Sequence, residues 1–411
     1  MENEKQQLPN KRAKACEQEE EAGDASPSPS MEELQQSLLK ATAAGDLPSV
    51  QRILDIGLNL WFQDPDPSGQ GRSCLHIAAE RGDEEMVRAL LQAGHPWNIL
   101  DSNGRTAGEY AERAGHSRLY EFLLNEGCRV ELLLGILGRK SSCAASVSSA
   151  GKKEGGAEAS NKDYLSQRLR YEDNKLLDEE NNAVMMGWEA PLMRLHAEML
   201  CPREGLDVLN VGFGLGIIDE LLQERKPRRH VIIEAHADVY AHMLEKGWDK
   251  KPGVHILFGR WQDVMPSLLQ GRLSSSPSST KQNDEEAQRK DEEKKEEEEE
   301  EEVQGPILFD GIFFDTFGEY YEDLREFHEH VPDLLRYPNG IYSFFNGLGA
   351  TNKFFYEVYC RVSEADLKGM GLTTTYQPIK IDPSEDKSWE GVKGKYWQLE
   401  TYHLPRCTYS C

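Results

Sequence analysis

From Met31 onward, apolar residues recur at helical spacing in short runs that end in Leu-Leu or Ile-Leu, and the runs themselves repeat. Ala44-Gly45-Asp46, Arg81-Gly82-Asp83 and Ala114-Gly115-His116 mark the same point of three units, at steps of 37 and 33 residues. This self-similarity predicts an all-α array over residues 31–127, whose units bury their apolar faces only against one another. The pattern then lapses into Ser, Ala, Gly and Lys, and residues 128–163 read as a linker. Beyond it, short apolar segments at 207–211, 230–234, 254–258, 311–315 and 340–345 alternate with helical patterns, and further strand candidates follow at 372–377 and 396–403. Alternating βαβ order predicts that residues 164–411 form an α/β domain with a mainly parallel sheet and helices on both faces.

The first of these strands runs into Gly212-Phe213-Gly214-Leu215-Gly216, and Glu234 closes the second strand eighteen residues later. Glycines at a strand-to-helix turn let the backbone bend sharply and approach a ligand, and an acid at the tip of the neighbouring strand can bind both hydroxyls of a ribose. In open parallel sheets ligands lie beyond the carboxyl ends of the strands. The other tips there carry Gly259-Arg260-Trp261-Gln262-Asp263, Asp315-Thr316 and Asn346-Gly347, the last of which fits either an acceptor pocket or a plain turn.

Charge changes the picture in one place. Of the formal charge of −25, a local balance of −8 comes from residues 274–304, with 13 Asp and Glu against 5 Lys and Arg. Such a run fits only an exposed loop and is expected to be a disordered insertion. The remainder is moderately acidic, so composition gives no support for a nucleic-acid partner. Eight cysteines show no CxxC pair, which predicts neither a disulfide framework nor a zinc site or other metal. The polar residues 1–30 are expected to be a flexible tail, in which Lys11-Arg12-Ala13-Lys14 is a short basic run of the nuclear-address type. No apolar run approaches the length of a membrane span. These features predict a monomeric protein of the cytoplasm and nucleus.

The middle unit, residues 71–82 with the run Leu75-His76-Ile77-Ala78-Ala79, closely resembles the ankyrin repeat, in which a histidine at the position of His76 ties the turn to the helix. The first unit carries an insertion around residues 64–69, and the third has Thr106-Ala107-Gly108-Glu109 in place of the usual Thr-Pro-Leu-His. In the second domain, Val184-Met185-Met186-Gly187-Trp188-Glu189-Ala190-Pro191, Val211-Gly212-Phe213-Gly214, Ile232-Ile233-Glu234, Gly259-Arg260-Trp261-Gln262-Asp263 and Phe309-Asp310-Gly311-Ile312-Phe313-Phe314-Asp315-Thr316 follow in order. Together they resemble guanidinoacetate methyltransferase and, more fully, the fungal and plant arginine N-methyltransferase 2 family, whose members join ankyrin-like repeats to such a domain. The resemblance implies a Rossmann-like S-adenosylmethionine-dependent methyltransferase fold. It also implies transfer of a methyl group to the internal (delta) nitrogen of an arginine in a ribosomal protein. By the same resemblance, Gly212, Phe213, Gly214, Leu215, Gly216 and Ile217 would wrap the methionine part of the cofactor. Glu234 would take the ribose with Ala235 and His236 beside it, Trp261 and Gln262 would border the adenine, and Met185 and Tyr171 would close the site. The double-glutamate loop and Thr-His-Trp segment of omega-nitrogen arginine methyltransferases are missing, which favours monomethylation.

A guanidinium keeps its proton to a pKa above about 12, so a nitrogen of it attacks a methyl group only once charge is localised and a proton removed. A pair of carboxylates can grip the planar fork and accept that proton. Asp315, at the fourth strand tip and also beside the cofactor, and Glu189 are the candidates for this catalytic pair. One departure from the general methyltransferase pattern is Asn210, where an acid often stands two residues before the first glycine. Two other readings share these residues: a methyltransferase for a small guanidine compound, and an ankyrin adaptor without catalysis.

Overall fold

A computed structural model describes residues 29–66, 69–145, 164–273, 305–317, 320–381 and 386–410. Most of the expected tail, the acidic insertion at 274–304 and the linker from residue 146 lie outside the described residues.

The repeat follows from helix capping. In the first two units the glycine of the recurring tripeptide ends one helix in the left-handed conformation, and the aspartate after it caps the next. Gly45 (φ 73°) closes α1 (Met31–Ala44), and Asp46 accepts the Ser49 N–H of α2 (Leu47–Leu54). Gly82 (φ 70°) and Asp83 do the same between α3 (Cys74–Arg81) and α4 (Glu84–Gln92). In the third unit Thr106 and Glu109 form a capping box at α5 (Ala107–Arg113), which leads to α6 (Ser117–Ala145). His76 is fully buried: its Nδ1 accepts the Ser73 N–H at 3.0 Å and its Nε2 lies 3.0 Å from the Arg105 carbonyl oxygen.

The second domain opens with a small antiparallel sheet, β1 (Arg170–Glu172), β2 (Lys175–Leu177) and β3 (Ala183–Met186). Strands of three or four residues are too short to leave a periodic signal, which is why the pattern missed them. Then come α7 (Ala190–Leu200), β4 (Asp207–Val211), α8 (Ile217–Glu224), β5 (Arg229–Glu234), α9 (Ala237–Glu245), β6 (Val254–Phe258) and α10 (Trp261–Leu269). After the insertion follow β7 (Gly311–Phe314), α11 (Tyr321–Leu334), β8 (Ile341–Phe344), α12 (Lys353–Gly369), β9 (Leu372–Lys380) and β10 (Thr401–Tyr409). The main sheet has the order β6-β5-β4-β7-β8-β10-β9; the first five strands are parallel and β10 runs antiparallel to both its neighbours. Successive strands leave β4 in one direction and β7 in the other, so the switch point falls between their tips.

Two boundaries differ from expectation. The last strand lies at Thr401–Tyr409 rather than 396–403. Tyr396 and Trp397 instead pack against Trp188, since an aromatic run reports burial without specifying the partner surface. The linker expected from residue 128 begins inside α6, which continues unbroken to Ala145. Its extension is supported by α12, whose Phe354, Val358 and Val362 share one apolar core with the ankyrin helices. Gly108 faces the Phe354 ring so closely that a Cβ there would sit 2.1 Å from it.

Candidate active site

The glycine turn is shaped by what surrounds it. Gly212 has φ 93°, and a Cβ on it would lie 1.9 Å from the carbonyl oxygen of Asp315, so only glycine lets the tips of β4 and β7 come this close. Gly214 (φ 55°) faces the Met185 sulfur, which also accepts the Leu215 N–H at 3.2 Å. Gly216 (φ 73°) starts α8. Beneath the turn, the Asn210 amide donates to the Gly212 carbonyl and to both oxygens of Asp219, each at 2.9 Å, and Asp219 meets His230 Nε2 at 3.1 Å. All three side chains are fully buried. An acid from the first turn of α8 thus stands buried against Asn210 beneath the turn, a contact the linear spacing could not reveal.

A cavity of about 690 Å³, counting its open mouth, lies over the tips of β4, β5 and β7. Of the residues singled out from the sequence, Met185, Gly212, Phe213, Gly214, Glu234, Ala235, Trp261, Gln262 and Asp315 line it. Glu234 is buried and accepts the backbone N–H groups of Phe213 at 2.9 Å and His236 at 2.6 Å, joining the turn to the next strand tip. Burial outweighs these bonds and pushes its carboxyl pKa up. Trp261 is 97 % buried on Phe314 and Phe327, so only part of its indole reaches the void.

Five candidates stand behind the wall rather than in it. Tyr171 donates its hydroxyl to the Gly214 carbonyl at 3.1 Å and stacks on His242. His236 caps α9 by accepting the Asp238 N–H at 3.1 Å. Leu215 and Ile217 pack into the apolar layer around β4, and Gly216 likewise carries the turn into α8. Tyr164, Leu165, Val184, Val211, Ile233, Gly259, Arg260, Thr316 and Phe317 complete the lining. Gly259 and Arg260 stood in a recognised motif, whereas Tyr164 comes from a segment with no periodic or glycine signal.

A second cavity adjoins the first and shares Val184, Asp315, Thr316 and Phe317 with it. Glu189, Phe345, Gly347, Leu348 and Tyr396 form much of its remaining wall. Glu189 sits on a single 3-10 turn, Gly187–Glu189, just ahead of Pro191 in the first turn of α7, where a missing N–H costs nothing. Its Oε1 accepts the Met186 N–H at 3.1 Å and the Tyr396 hydroxyl. Burial, and then the neighbouring Asp315 charge, drive the Glu189 pKa well above the carboxylate range; burial raises that of Asp315 as well. The two carboxyls that sequence reasoning paired therefore face one void, and Asp315 alone of the two also borders the first. Tyr396 was not foreseen, because its segment read as a strand. Asn346 turns inward to Tyr356 and the His403 carbonyl, leaving Gly347 in the wall.

Family models for ankyrin repeats match residues 38–133 in three copies, and that for guanidinoacetate N-methyltransferase matches residues 157–286. Protein arginine N-methyltransferase 2 of Aspergillus oryzae is 37 % identical over 91 % of this chain and 96 % of its own length. The Cryptococcus neoformans protein of that name is 37 % identical over 90 % and 93 %, and that of Saccharomyces cerevisiae 33 % over 79 % and 78 %. The chain belongs to the protein arginine N-methyltransferase 2 family. It is accordingly a protein-arginine methyltransferase, and membership of the family implies S-adenosylmethionine as the methyl donor.

The first cavity fits that donor. It offers a glycine turn with no room for side chains, a buried carboxylate at the second strand tip and an aromatic edge at the third. In a family that methylates arginine, the second cavity has the chemistry for the acceptor, since it presents two acids to one end of a cationic group.

Proposed function

We propose that this protein transfers a single methyl group to the delta nitrogen of an arginine in a ribosomal protein. The observation that carries the catalytic part is the position of Asp315 in the wall shared by two adjoining cavities, with Glu189 across the second. Bound in the first cavity, the donor supplies an electrophilic sulfonium methyl group. Glu234 and the glycine turn orient it from below. Glu189, held by Met186 and Tyr396, grips the terminal amino groups of the guanidinium, while Asp315 at the boundary accepts the proton of the attacking nitrogen. Alignment in a site shielded by Val184, Phe317 and Phe345 supplies much of the remaining rate. The choice of the internal nitrogen and of a ribosomal acceptor is supported by the family resemblance.

The test is incubation with radiolabelled S-adenosylmethionine and an extract from cells lacking this enzyme, followed by hydrolysis and amino-acid analysis. Delta-N-methylarginine in a ribosomal-protein band is the expected product. Label only in omega-methylarginines, or only in small guanidines, overturns the assignment.

A further inference from the structure

We infer that the ankyrin array positions the wall of the acceptor site, because Asn352 couples it to the loop that walls the cavity beside Glu189 and Asp315. This rests on the reading of that cavity as the arginine pocket. Residues 345–352 join β8 to α12, and Phe345, Gly347 and Leu348 of this loop line the cavity. The loop is gripped at both ends. At its start the Asn346 N–H donates to the Tyr402 hydroxyl at 3.0 Å, and its amide donates to the Tyr356 hydroxyl at 3.1 Å. In the middle Gly349 (φ 71°) is pressed against α12, where a Cβ would lie 2.9 Å from the Tyr356 nitrogen. At its end Asn352 works in two directions. Its Oδ1 caps α12 by accepting the Phe355 N–H at 3.2 Å, and its Nδ2 donates to Glu109 Oε2 at 2.9 Å and to the Gly104 carbonyl at 3.2 Å, both in the third ankyrin unit.

The surrounding contacts leave α12 little freedom relative to the array. Phe354 and Val358 enter the ankyrin core. Around them Lys353 pairs with Glu112 at 2.5 Å, the Tyr120 hydroxyl donates to Glu357 at 2.8 Å, and Arg361 pairs with Glu121 at 2.6 Å. A surface used only to tether a protein substrate needs no such bond to a loop of the catalytic pocket. Asn352 is therefore a positioning residue: it touches neither donor nor acceptor, and it transmits the placement of the array to the pocket wall.

The experiment uses the full chain. Asn352→Asp keeps the capping oxygen but replaces the donated N–H with a carboxylate opposite Glu109. Glu109 Oε2 accepts both the Asn352 amide and the Thr106 N–H, so adding Glu109→Gln keeps the Thr106 bond on its amide oxygen and removes the like-charge repulsion without rebuilding the lost donation. Asn352→Ser, which keeps a cap without the charge, serves if the Asp variant does not fold. Three quantities are read: affinity for S-adenosylmethionine, methyl transfer against concentration of the extract acceptor, and backbone hydrogen exchange over residues 345–352. The expected result is an apparent KM raised about tenfold, within the ordinary range of coupling between sites, with donor affinity nearly unchanged, faster exchange in the loop, and partial recovery in the double variant. An unchanged KM with faster exchange overturns the inference, as does a raised KM that the double variant does not lower at all. Absence of transfer by the wild type instead overturns the proposed function, and exchange that is unaltered by Asn352→Asp then overturns the coupling separately.

Discussion

Replacing Asp315 by Asn tests the catalytic argument most directly, because the change preserves shape and removes only the charge and the ability to accept a proton. Asp315 is the carboxyl that borders both cavities. Losing a general base at that boundary costs roughly 10²–10⁴ in rate, which corresponds to about 3–5 kcal/mol of transition-state stabilisation. The donor should still bind, since Glu234 and its bonds to Phe213 and His236 are untouched. A second signature separates this account from general damage. The Asp315 charge is one cause of the raised Glu189 pKa, so in the variant Glu189 should ionise at lower pH and residual activity should plateau at lower pH than in the wild type. The assay is single-turnover transfer of labelled methyl across about pH 6 to 9, with donor affinity measured by titration calorimetry. A rate within about threefold of wild type would remove Asp315 from the proton path. A parallel loss of donor affinity would reassign it to binding.

In the wild type, transfer should rise with pH across neutrality, because both carboxyls titrate above their usual range and the base works only when ionised; a flat profile in this window contradicts the assignment. Stability should move the opposite way. Folding raises these pKa values, so the native state holds more protons than the unfolded one between the ordinary and raised values, and thermal stability should decline as pH rises through that interval, less so in Asp315→Asn. Gly212→Ala places a methyl group against a backbone carbonyl at a positive φ, and should abolish donor binding in calorimetry while lowering Tm. Asn210→Asp sets a second carboxylate against Asp219 among fully buried groups and should cost about 3–5 kcal/mol in denaturant unfolding, a loss that Asp219→Asn recovers by restoring one amide and one acid.

Local regularities carried most of the fold. The recurring glycine and aspartate of the first two repeats were legible because each does a local task, ending one helix and capping the next. The four inner parallel strands were legible because burial on both faces makes them mainly apolar runs, and the half-buried edge strand β6 because its residues 254–258 are apolar but for one histidine. Their tips then announced Gly212, Glu234, Trp261 and Asp315, since a ligand at the end of such a sheet can be met only there. Tyr396 was hidden, because its partner Glu189 lies 207 residues away in the chain.

By itself, then, the sequence determined the two fold classes, the order of the main-sheet elements and most of the residues that line the two cavities at the strand tips, all of which follow from periodicity, capping and residue type within short stretches. Tertiary structure decided which of those residues meet. It brought Glu189 and Asp315 to one void, put Asp219 beneath the turn where Asn210 had seemed a departure, and turned Tyr171 and His236 away from the cavity. It also made the ankyrin array and α12 share a core, where two units joined only by a linker had been expected. The reason is one of range: capping and periodicity act over a few residues, whereas carboxylate pairing, desolvation and helix packing depend on distances set only when segments far apart in the chain are folded against each other.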